Sequence, residues 1–215
     1  MKVTILGTGI VGDTLGSKCI QCGHEVKMGS RTAFNEKAVV WLKKNRTNAS
    51  IGTFAEAAAF GDIVFNCTKG IYSLEALKLA GKQNLTGKIL IDVANALDTS
   101  KGMPTLAIST TDSLGEQIQR AFPDVKVVKA LNTVSCKVMV NPDSVAHGDH
   151  DIFISGNDPT AKATVTKILK DWFGWKYVTD LGDITSARAA EMLMPVWLKL
   201  MTRLQTTNFN FRIMR

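Results

Sequence analysis

The sequence predicts an α/β protein built on a doubly wound parallel sheet, with a small C-terminal lobe that ends in a long apolar helix. Short apolar segments alternate with helical segments along most of the 215 residues, which is the pattern of a parallel sheet covered by helices. A glycine-rich turn joins the first strand to the first helix. Beyond about residue 150 the alternation is shorter and closes on a helix. We therefore expect one domain over residues 1–150 and a lobe over residues 151–215.

The segments before residue 131 are assigned from their hydropathy and from the residues at their ends. Short runs rich in Val and Ile are typical of buried strands, and longer runs that end at Gly are typical of helices. The expected strands lie at residues 2–6, 24–28, 50–52, 62–67, 88–93 and 126–130. The expected helices run from the glycine turn to residue 22 and over residues 34–45, 54–60, 73–80 and 113–121. Residues 98–110 are expected to be irregular.

The last third of the chain is expected to add two strands and two helices. The strands lie at residues 151–155 and 176–179, and the helices at residues 159–172 and 186–205. Asp158 caps the first of these helices, with Pro159 in its first turn. The final helix is rich in Met and apolar on several faces, and Pro195 should kink it. We expect such a helix to be buried, within the protein or between subunits, as core rather than as the wall of a cofactor pocket.

The turn after the first strand has the spacing G-x-G-x-x-G, given by Gly7, Thr8, Gly9, Ile10, Val11 and Gly12. Between a strand and a helix this spacing is typical of dinucleotide-binding units of the Rossmann type. Gly7 allows the tight turn, Gly9 lets a pyrophosphate approach the backbone, and Gly12 lets the helix pack on the strand. The helix start offers free N–H groups and a partial positive charge to the phosphates. The alternative is a glycine turn without a ligand.

The end of the second strand indicates which dinucleotide binds. Units that bind NAD place an acidic residue here to hold the ribose 2′-hydroxyl. This chain instead has Ser30, Arg31 and Thr32, whose two hydroxyls and guanidinium suit a doubly charged 2′-phosphate. Lys37 on the next helix is a further candidate. We therefore expect NADP(H) rather than NAD(H), the alternative being a polar loop with an incidental arginine.

The loops after three later strands are expected to lie beside the glycine turn. In a doubly wound sheet, ligands bind at the carboxyl ends of the strands, near the change in strand order. Asn95 and Asn132 follow two of these strands, and their amides either hold a nicotinamide carboxamide or brace the loops. Lys69 follows the third strand, and it contacts the cofactor, steers an acidic acceptor or is simply solvated.

Four segments together point to a known family. They are the first strand, Gly29-Ser30-Arg31, Ala130-Leu131-Asn132-Thr133 and the helix from Arg188 to Arg203. With these segments the chain resembles the NADP oxidoreductases that depend on the deazaflavin coenzyme F-420, over nearly its whole length. It is also similar to the cytoplasmic NADPH-binding domain of membrane ferric reductases, whose acceptor is an ordinary flavin.

The resemblance implies a homodimer that binds NADP(H) through Thr8 to Gly12, Ser30 and Arg31. It implies that the nicotinamide lies against Cys67-Thr68-Lys69, Val93-Ala94-Asn95 and Ala130-Leu131-Asn132. A flavin-like ring would stack over the nicotinamide in a cleft roofed by the C-terminal lobe. The chain departs from the family at Lys69 and Ser135, where prolines are usual, and at Asn132, where a histidine is expected. These departures leave NADP(H) binding intact and leave open whether the acceptor is F-420, FMN or FAD.

The implied reaction needs no protein acid or base. Hydride transfer between a nicotinamide and a flavin-type ring depends on holding two rings in contact, and the cofactors carry the chemistry. Tyr72 and Tyr177 have no lysine four residues later, which excludes the short-chain dehydrogenase pair. We therefore predict an NADP-dependent oxidoreductase without a catalytic side chain. The alternatives are an NADPH-dependent reductase of a small imine or carbonyl substrate and a non-catalytic NADP(H)-binding regulatory domain.

The composition argues against several other functions. The net charge is +7, but the basic residues are scattered rather than gathered into the stripe that nucleic acid requires. No apolar stretch approaches the ~20 residues of a membrane span, and we expect no signal peptide. His147 and His150 lack the further ligands of a zinc site. We expect a cytoplasmic homodimer without metal, membrane or nucleic-acid partners.

Overall fold

The computed structural model of the protein describes residues 1–100 and 102–214. Lys101, in the stretch expected to be irregular, and Arg215, at the end of the expected lobe, lie outside the described residues. The strands are β1 Lys2–Leu6, β2 Glu25–Ser30, β3 Ala49–Thr53, β4 Ile63–Asn66, β5 Ile89–Asp92, β6 Leu97–Asp98, β7 Thr105–Leu106, β8 Lys126–Ala130, β9 Asp151–Gly156 and β10 Tyr177–Asp180. The α-helices are α1 Ile10–Gln21, α2 Glu36–Asn45, α3 Phe54–Phe60, α4 Ser73–Ala80, α5 Lys82–Leu85, α6 Leu114–Ala121, α7 Cys136–Val140, α8 Pro159–Asp171, α9 Ala187–Met192 and α10 Met194–Leu204.

Eight of the strands form one sheet in the order β10-β9-β8-β5-β4-β1-β2-β3. Helices cover both of its faces, since one apolar core lies under α1, α2 and α8 and a second lies under α3, α4 and α6. Successive residues of β1 point to opposite faces, so Ile5 packs into the first core and Leu6 into the second. The predicted α/β, doubly wound class is confirmed.

The strand order changes direction beside β1, and this opens a crevice at the carboxyl edge of the sheet. β2 and β3 lie on one side of β1, whereas β4, β5 and β8 lie on the other. The turn after β1 and the loop after β4 meet at this crevice, because a Cβ added to Gly7 would lie 2.6 Å from the carbonyl oxygen of Cys67. Ligands of doubly wound sheets bind at such a position.

The sheet is not wholly parallel, contrary to the prediction. β9 pairs antiparallel with β8, while β10 pairs parallel with β9. The chain between β8 and β9 carries only the short helix α7 and two 3₁₀ turns, instead of the longer helix that usually makes a parallel crossover. β9 and β10 therefore extend the same sheet as the earlier strands, and the division into domains at residue 150 stays an expectation.

The C-terminal helical run is broken where a single kinked helix is predicted. A 3₁₀ turn, Ile184–Ser186, leads into α9, and α10 begins two residues after α9 ends. Pro195 lies in the first turn of α10 and has no N–H to continue a helix from α9, so the break falls where the proline predicts it. None of the helices in the described residues combines the length and the hydropathy needed to cross a bilayer.

Two features near this run differ from expectation. The stretch expected to be irregular contains a short antiparallel hairpin of β6 and β7. On the last two helices, Met194, Trp197 and Leu198 are buried, whereas Met192 and Val196 are largely exposed. Burial of the exposed side chains between subunits remains a prediction.

Candidate functional site

Two glycines of the turn between β1 and α1 are required by the backbone itself. Gly7 has a φ of +117°, which favours glycine, and its N–H donates to the carbonyl of Gly29 over 3.0 Å. A Cβ on Gly12 would lie 2.2 Å from the carbonyl oxygen of Gly7, so α1 packs directly on the turn. The tight turn and the close helix packing expected at these positions are both present.

Gly9 differs, because no atom of the described residues beyond its chain neighbours lies within 4 Å of where its Cβ would stand. Packing within the protein therefore does not require glycine here. Gly9 caps α1 without a side chain, and it lines a cavity. Open space over a helix N-terminus is what a closely approaching phosphate needs, so these residues fit the phosphates of a dinucleotide.

A cavity of about 500 Å³ opens beside this turn, and we name it the Arg31 cavity. Its wall combines the glycine turn, the end of β2 and the loop after β4. The residues that line it are Gly7, Thr8, Gly9, Ser30, Arg31, Thr32, Asn35, Phe54, Cys67, Thr68, Lys69, Tyr72, Glu75 and Ala76. The residues predicted to hold a 2′-phosphate thus share one cavity with the glycine turn, and Lys37 does not line it.

Two cations of the Arg31 cavity stand over the same aromatic ring. The guanidinium carbon of Arg31 lies 5.8 Å from the ring centroid of Tyr72, and the ammonium of Lys69 lies 5.9 Å from it. The carboxylate among the lining residues is that of Glu75. The cavity therefore has an excess of positive charge, which suits a ligand with several phosphates.

Ser30 braces the loop that carries Arg31. Its hydroxyl donates to the carbonyl of Thr32 over 2.6 Å, and its side chain is buried. This bond occupies the hydroxyl proton and closes the backbone around Arg31. Contact of Ser30 or Thr32 with a 2′-phosphate remains a prediction.

A second cavity, of about 350 Å³, adjoins the first at Cys67, Thr68 and Lys69, and we name it the Trp197 cavity. It lies over the loops after β4, β5 and β8, and side chains from β6, α7 and α10 complete its wall. The residues that line it are Ile10, Val11, Cys67, Thr68, Lys69, Gly70, Val93, Ala94, Asn95, Leu97, Thr99, Asn132, Val134, Ser135, Cys136, Met139, Met194 and Trp197.

Two asparagines brace the wall of the Trp197 cavity. Asn95 Nδ2 donates to the carbonyl of Asn132 over 2.8 Å, and Asn132 Nδ2 donates to Oδ1 of Asn95 over 3.0 Å. The Oδ1 of Asn132 is buried and has no partner among the described residues. Leu131, just before it, has a φ of +64°, a strained value for a residue with a side chain. The bracing thus leaves one buried acceptor that a ligand N–H can satisfy.

Apart from Lys69, the side chains that line the Trp197 cavity are poor acids and bases. Burial raises the pKa of the Cys67 thiol far above its usual value, and nearby Cys19 and Asp92 raise it further, so Cys67 is not a thiolate at neutral pH. The described lining residues include no carboxylate, imidazole or phenol. The arrangement suits a reaction in which the protein positions the reactants and transfers no proton.

All predicted site residues line one of the two cavities except Gly12, Ala130 and Leu131. Ala130 and Leu131 are fully buried in the core, and Gly12 packs on the turn. The sequence did not reveal the lining residues that helices after α1 supply, among them Phe54, Met139, Met194 and Trp197. Met194 and Trp197 are buried, as expected of core, and they also form the cavity wall that the prediction disfavoured.

Comparison with known proteins identifies the family. Residues 2–96 match the family described as NADP oxidoreductase, coenzyme F420-dependent. A crystal structure from Arthrobacter sp. FB24, of a protein proposed to be an F420-dependent NADP reductase, is 50% identical over 100% of both chains, with a TM-score of 0.95. The chain belongs to the F420-dependent NADP oxidoreductase family. The family resemblance predicted from the sequence is confirmed.

Two further relatives are more distant. Metalloreductase STEAP3 from Rattus norvegicus is 28% identical over 91% of this chain and 38% of its own length. The chain spans about two fifths of the length of the curated relatives it matches. A reductive aminase from Aspergillus terreus, solved with NADPH and ethyl levulinate, is 15% identical with a TM-score of 0.66 over 94% of this chain and 62% of its own, which shows a shared fold.

Proposed function

We propose that the protein transfers hydride between NADP(H) and a flavin or deazaflavin ring. The observation that carries this proposal is that the Arg31 cavity and the Trp197 cavity adjoin at Cys67, Thr68 and Lys69. The first cavity is the more polar of the two and has an excess of positive charge, whereas apolar side chains dominate the second. This division suits a cofactor with a phosphorylated adenosine half and a flat ring at its other end.

The residues of the Arg31 cavity would hold the adenosine half of NADP(H). Arg31, steadied by the ring of Tyr72, would bind the 2′-phosphate by charge-assisted hydrogen bonds. The free space at Gly9 would receive the pyrophosphate against the start of α1. The unpartnered Oδ1 of Asn132 would accept from the nicotinamide carboxamide in the Trp197 cavity. When bound, the nicotinamide supplies or receives the hydride.

The wall of the Trp197 cavity supports a flavin-type acceptor. Reduction of an imine or a ketone calls for a proton donor beside the reacting atom. The described lining residues offer no carboxylic acid, imidazole or phenol, and the ammonium among them, that of Lys69, stands over the ring of Tyr72 in the Arg31 cavity. A flavin or deazaflavin ring needs no such donor. Met139, Met194 and Trp197 instead present apolar and aromatic surface on which a fused ring can pack. The chain would contribute orientation and exclusion of water.

Steady-state oxidation of NADPH, followed by its near-ultraviolet absorbance, tests the proposal. The acceptors are coenzyme F-420, FMN, FAD and riboflavin, compared with a cyclic imine and a cyclic ketone. We expect turnover with at least one flavin or deazaflavin and none with the imine or the ketone. Turnover confined to the imine or ketone would replace the proposal with the small-substrate reductase. Tight NADPH binding without turnover would replace it with the regulatory domain.

We further propose that the protein is a homodimer. Met192 at the end of α9 and Val196 on α10, the helix of Trp197, are exposed, and a second subunit would cover them. Light scattering after size-exclusion chromatography would give twice the mass of one chain. Val196→Lys should shift the equilibrium toward the monomer, and a monomeric parent protein would refute the proposal.

A further inference from the structure

Lys129 is fully buried on β8, although the proposed transfer of hydride does not use it. Its side chain is 1% exposed. The ammonium lies 2.8 Å from Oδ2 of Asp92, 2.8 Å from Oε1 of Glu191 and 2.5 Å from the carbonyl oxygen of Ala94. The contacts with Asp92 and Ala94 are hydrogen bonds, and the contact with Glu191 is an ion pair. One of its three partners belongs to the loop that lines the Trp197 cavity.

Asp92 extends this cluster toward the junction of the two cavities. Its Oδ1 accepts from Asn66 Nδ2 over 2.8 Å and from the N–H of Ala94 over 3.3 Å. The Oδ1 of Asn66 in turn accepts from the hydroxyl of Thr68 over 2.7 Å. Thr68 lines both cavities. A continuous series of hydrogen bonds therefore runs from Lys129 to the cavity junction.

Glu191 extends the same cluster toward the wall of the Trp197 cavity that Met194 and Trp197 form. Its carboxylate accepts from the N–H groups of Leu114 and Gly115 over 2.9 and 3.1 Å, at the start of α6, where the helix dipole favours a negative charge. Glu191 lies in α9, directly before the helix that carries Met194 and Trp197. The apolar wall of the Trp197 cavity is therefore tied to the same ammonium as Ala94.

Burial of the charged groups of Lys129, Asp92 and Glu191 carries a desolvation cost, and the fold alone does not explain why it is tolerated. Burial by itself lowers the pKa of Lys129, but Asp92 and Glu191 outweigh it and raise the pKa above its ordinary value, so the ammonium is charged at neutral pH. Apolar side chains of similar volume often stabilise a core as well as buried ion pairs do. The position of the cluster, beneath both cavity loops and beside α9, gives a functional reason for its presence.

We propose that Lys129 is a positioning residue that fixes the spacing between the nicotinamide loop and the acceptor wall. It holds Ala94 on one side and, through Glu191, the helix of Trp197 on the other. Hydride transfer depends steeply on that spacing, since a displacement of about 1 Å can cost ~100-fold in rate. The inference rests on the proposed function, because it assigns the nicotinamide to the loop of Ala94.

Lys129→Met tests the proposal through two binding measurements that need no acceptor. The probes are NADPH and 2′-phospho-ADP-ribose, which lacks the nicotinamide. We expect the variant to bind 2′-phospho-ADP-ribose within about twofold of the parent, because Arg31 is untouched. The additional affinity that NADPH gains from its nicotinamide should fall at least fivefold. With the flavin on which the parent turns over, single-turnover oxidation of saturating NADPH should slow by ~10- to 100-fold.

Matched variants separate positioning from loss of structure. Lys126 lies on the same strand and pairs with Asp158 at the surface. Lys126→Met should change neither the affinity for NADPH nor the affinity for 2′-phospho-ADP-ribose. If Lys129→Met does not fold, Asp92→Asn/Lys129→Met/Glu191→Gln removes all three charges together and serves for the same comparison. Equal losses for both probes, or none for either, would overturn the proposal. A parent protein that reduces no flavin would instead refute the proposed function, while the binding comparison would still decide the role of Lys129.

Discussion

The guanidinium of Arg31 stands over the ring of Tyr72, with its central carbon 5.8 Å from the ring centroid. Arg31 follows β2 and Tyr72 follows β4, so the contact joins loops from opposite sides of β1. A cation–π contact at an exposed site contributes about 0.5–1 kcal/mol, enough to orient the guanidinium before a ligand arrives. The N–H donors lie in the plane of the guanidinium, so a contact between its face and the ring leaves its edge available for hydrogen bonds to a phosphate.

Arg31→Ala should raise the Kd for NADPH by ~10- to 100-fold, because a charge-assisted bond to a phosphate is worth about 1.5–3 kcal/mol. The Kd for NADH should change by less than about threefold, since NADH has no 2′-phosphate. Titration of reduced-nicotinamide fluorescence gives both constants. Lys37→Ala is the matched control, because Lys37 lies outside the cavity wall. Equal losses for both cofactors would remove the case for a 2′-phosphate site.

Gly9→Ala and Gly12→Ala should fail in different ways. Gly12→Ala places a methyl group 2.2 Å from the carbonyl oxygen of Gly7, and overpacking against the backbone should lower the free energy of unfolding by about 2 kcal/mol or more. Gly9→Ala meets no atom of the described protein and should leave stability nearly unchanged, while NADPH affinity falls at least tenfold. Urea unfolding and NADPH titration of both variants check this. Normal NADPH binding by Gly9→Ala would show that no phosphate approaches there.

Trp197 should act on the acceptor and not on NADPH. Its ring stacks on Phe209 with centroids 5.3 Å apart, and its buried Nε1 has no partner among the described residues. Trp197→Phe keeps the stack and removes the N–H, so kcat/KM for the flavin should fall about three- to tenfold, the value of one hydrogen bond. The Kd for NADPH should stay constant, and Trp172→Phe, away from both cavities, should change neither. A loss confined to NADPH binding would show that Trp197 contacts NADPH instead of the acceptor.

Asp112 should make the fold sensitive to acid. Hydrogen bonds from Arg120 lower the pKa of Asp112 to about 2, with further bonds from Gln117 and the N–H of Ser113. Because the folded pKa is depressed below the unfolded value of ~3.9, the stabilisation is present above that value and is lost as the pH falls toward 2. The loss should be on the order of 1 kcal/mol, since the pair is partly exposed and screened. Urea unfolding at pH 2 to 6 gives the free energy of unfolding at each pH. As the pH falls, this free energy should decrease less for Asp112→Asn than for the parent protein.

The strands of the large sheet and the first turn could be predicted because each is a local feature. β1, α3 and β8 have the predicted bounds, since apolar runs and the residues at their ends define them without reference to the rest of the chain. The direction of β9 could not be predicted, because hydropathy does not record strand direction. The one indication in the sequence was that no long helical segment follows β8, since parallel neighbouring strands are usually joined through such a helix.

Residues from distant helices were the part of the site that the sequence did not reveal. Met194 and Trp197 look like core from their helical spacing, and nothing local shows that one edge of the same face meets a cavity. The cluster around Lys129 did leave a signal, since Asp92 and Lys129 are charged residues within otherwise apolar strands. Buried charges of this kind need partners, and the partner Glu191 lies 62 positions further along the chain from Lys129.

A single-turnover experiment with NADPH deuterated at the transferring position of its nicotinamide tests whether hydride passes directly from the nicotinamide to the acceptor ring. Enzyme and NADPH are mixed rapidly, without oxygen, with the flavin or deazaflavin that supports turnover. Direct transfer predicts that NADPH oxidation and acceptor reduction proceed at one rate, and that deuterium slows both about two- to fourfold, because the rings exchange hydride in one step. Oxidation of NADPH without reduction of the acceptor, or at a different rate from it, would contradict direct transfer between the two cavities.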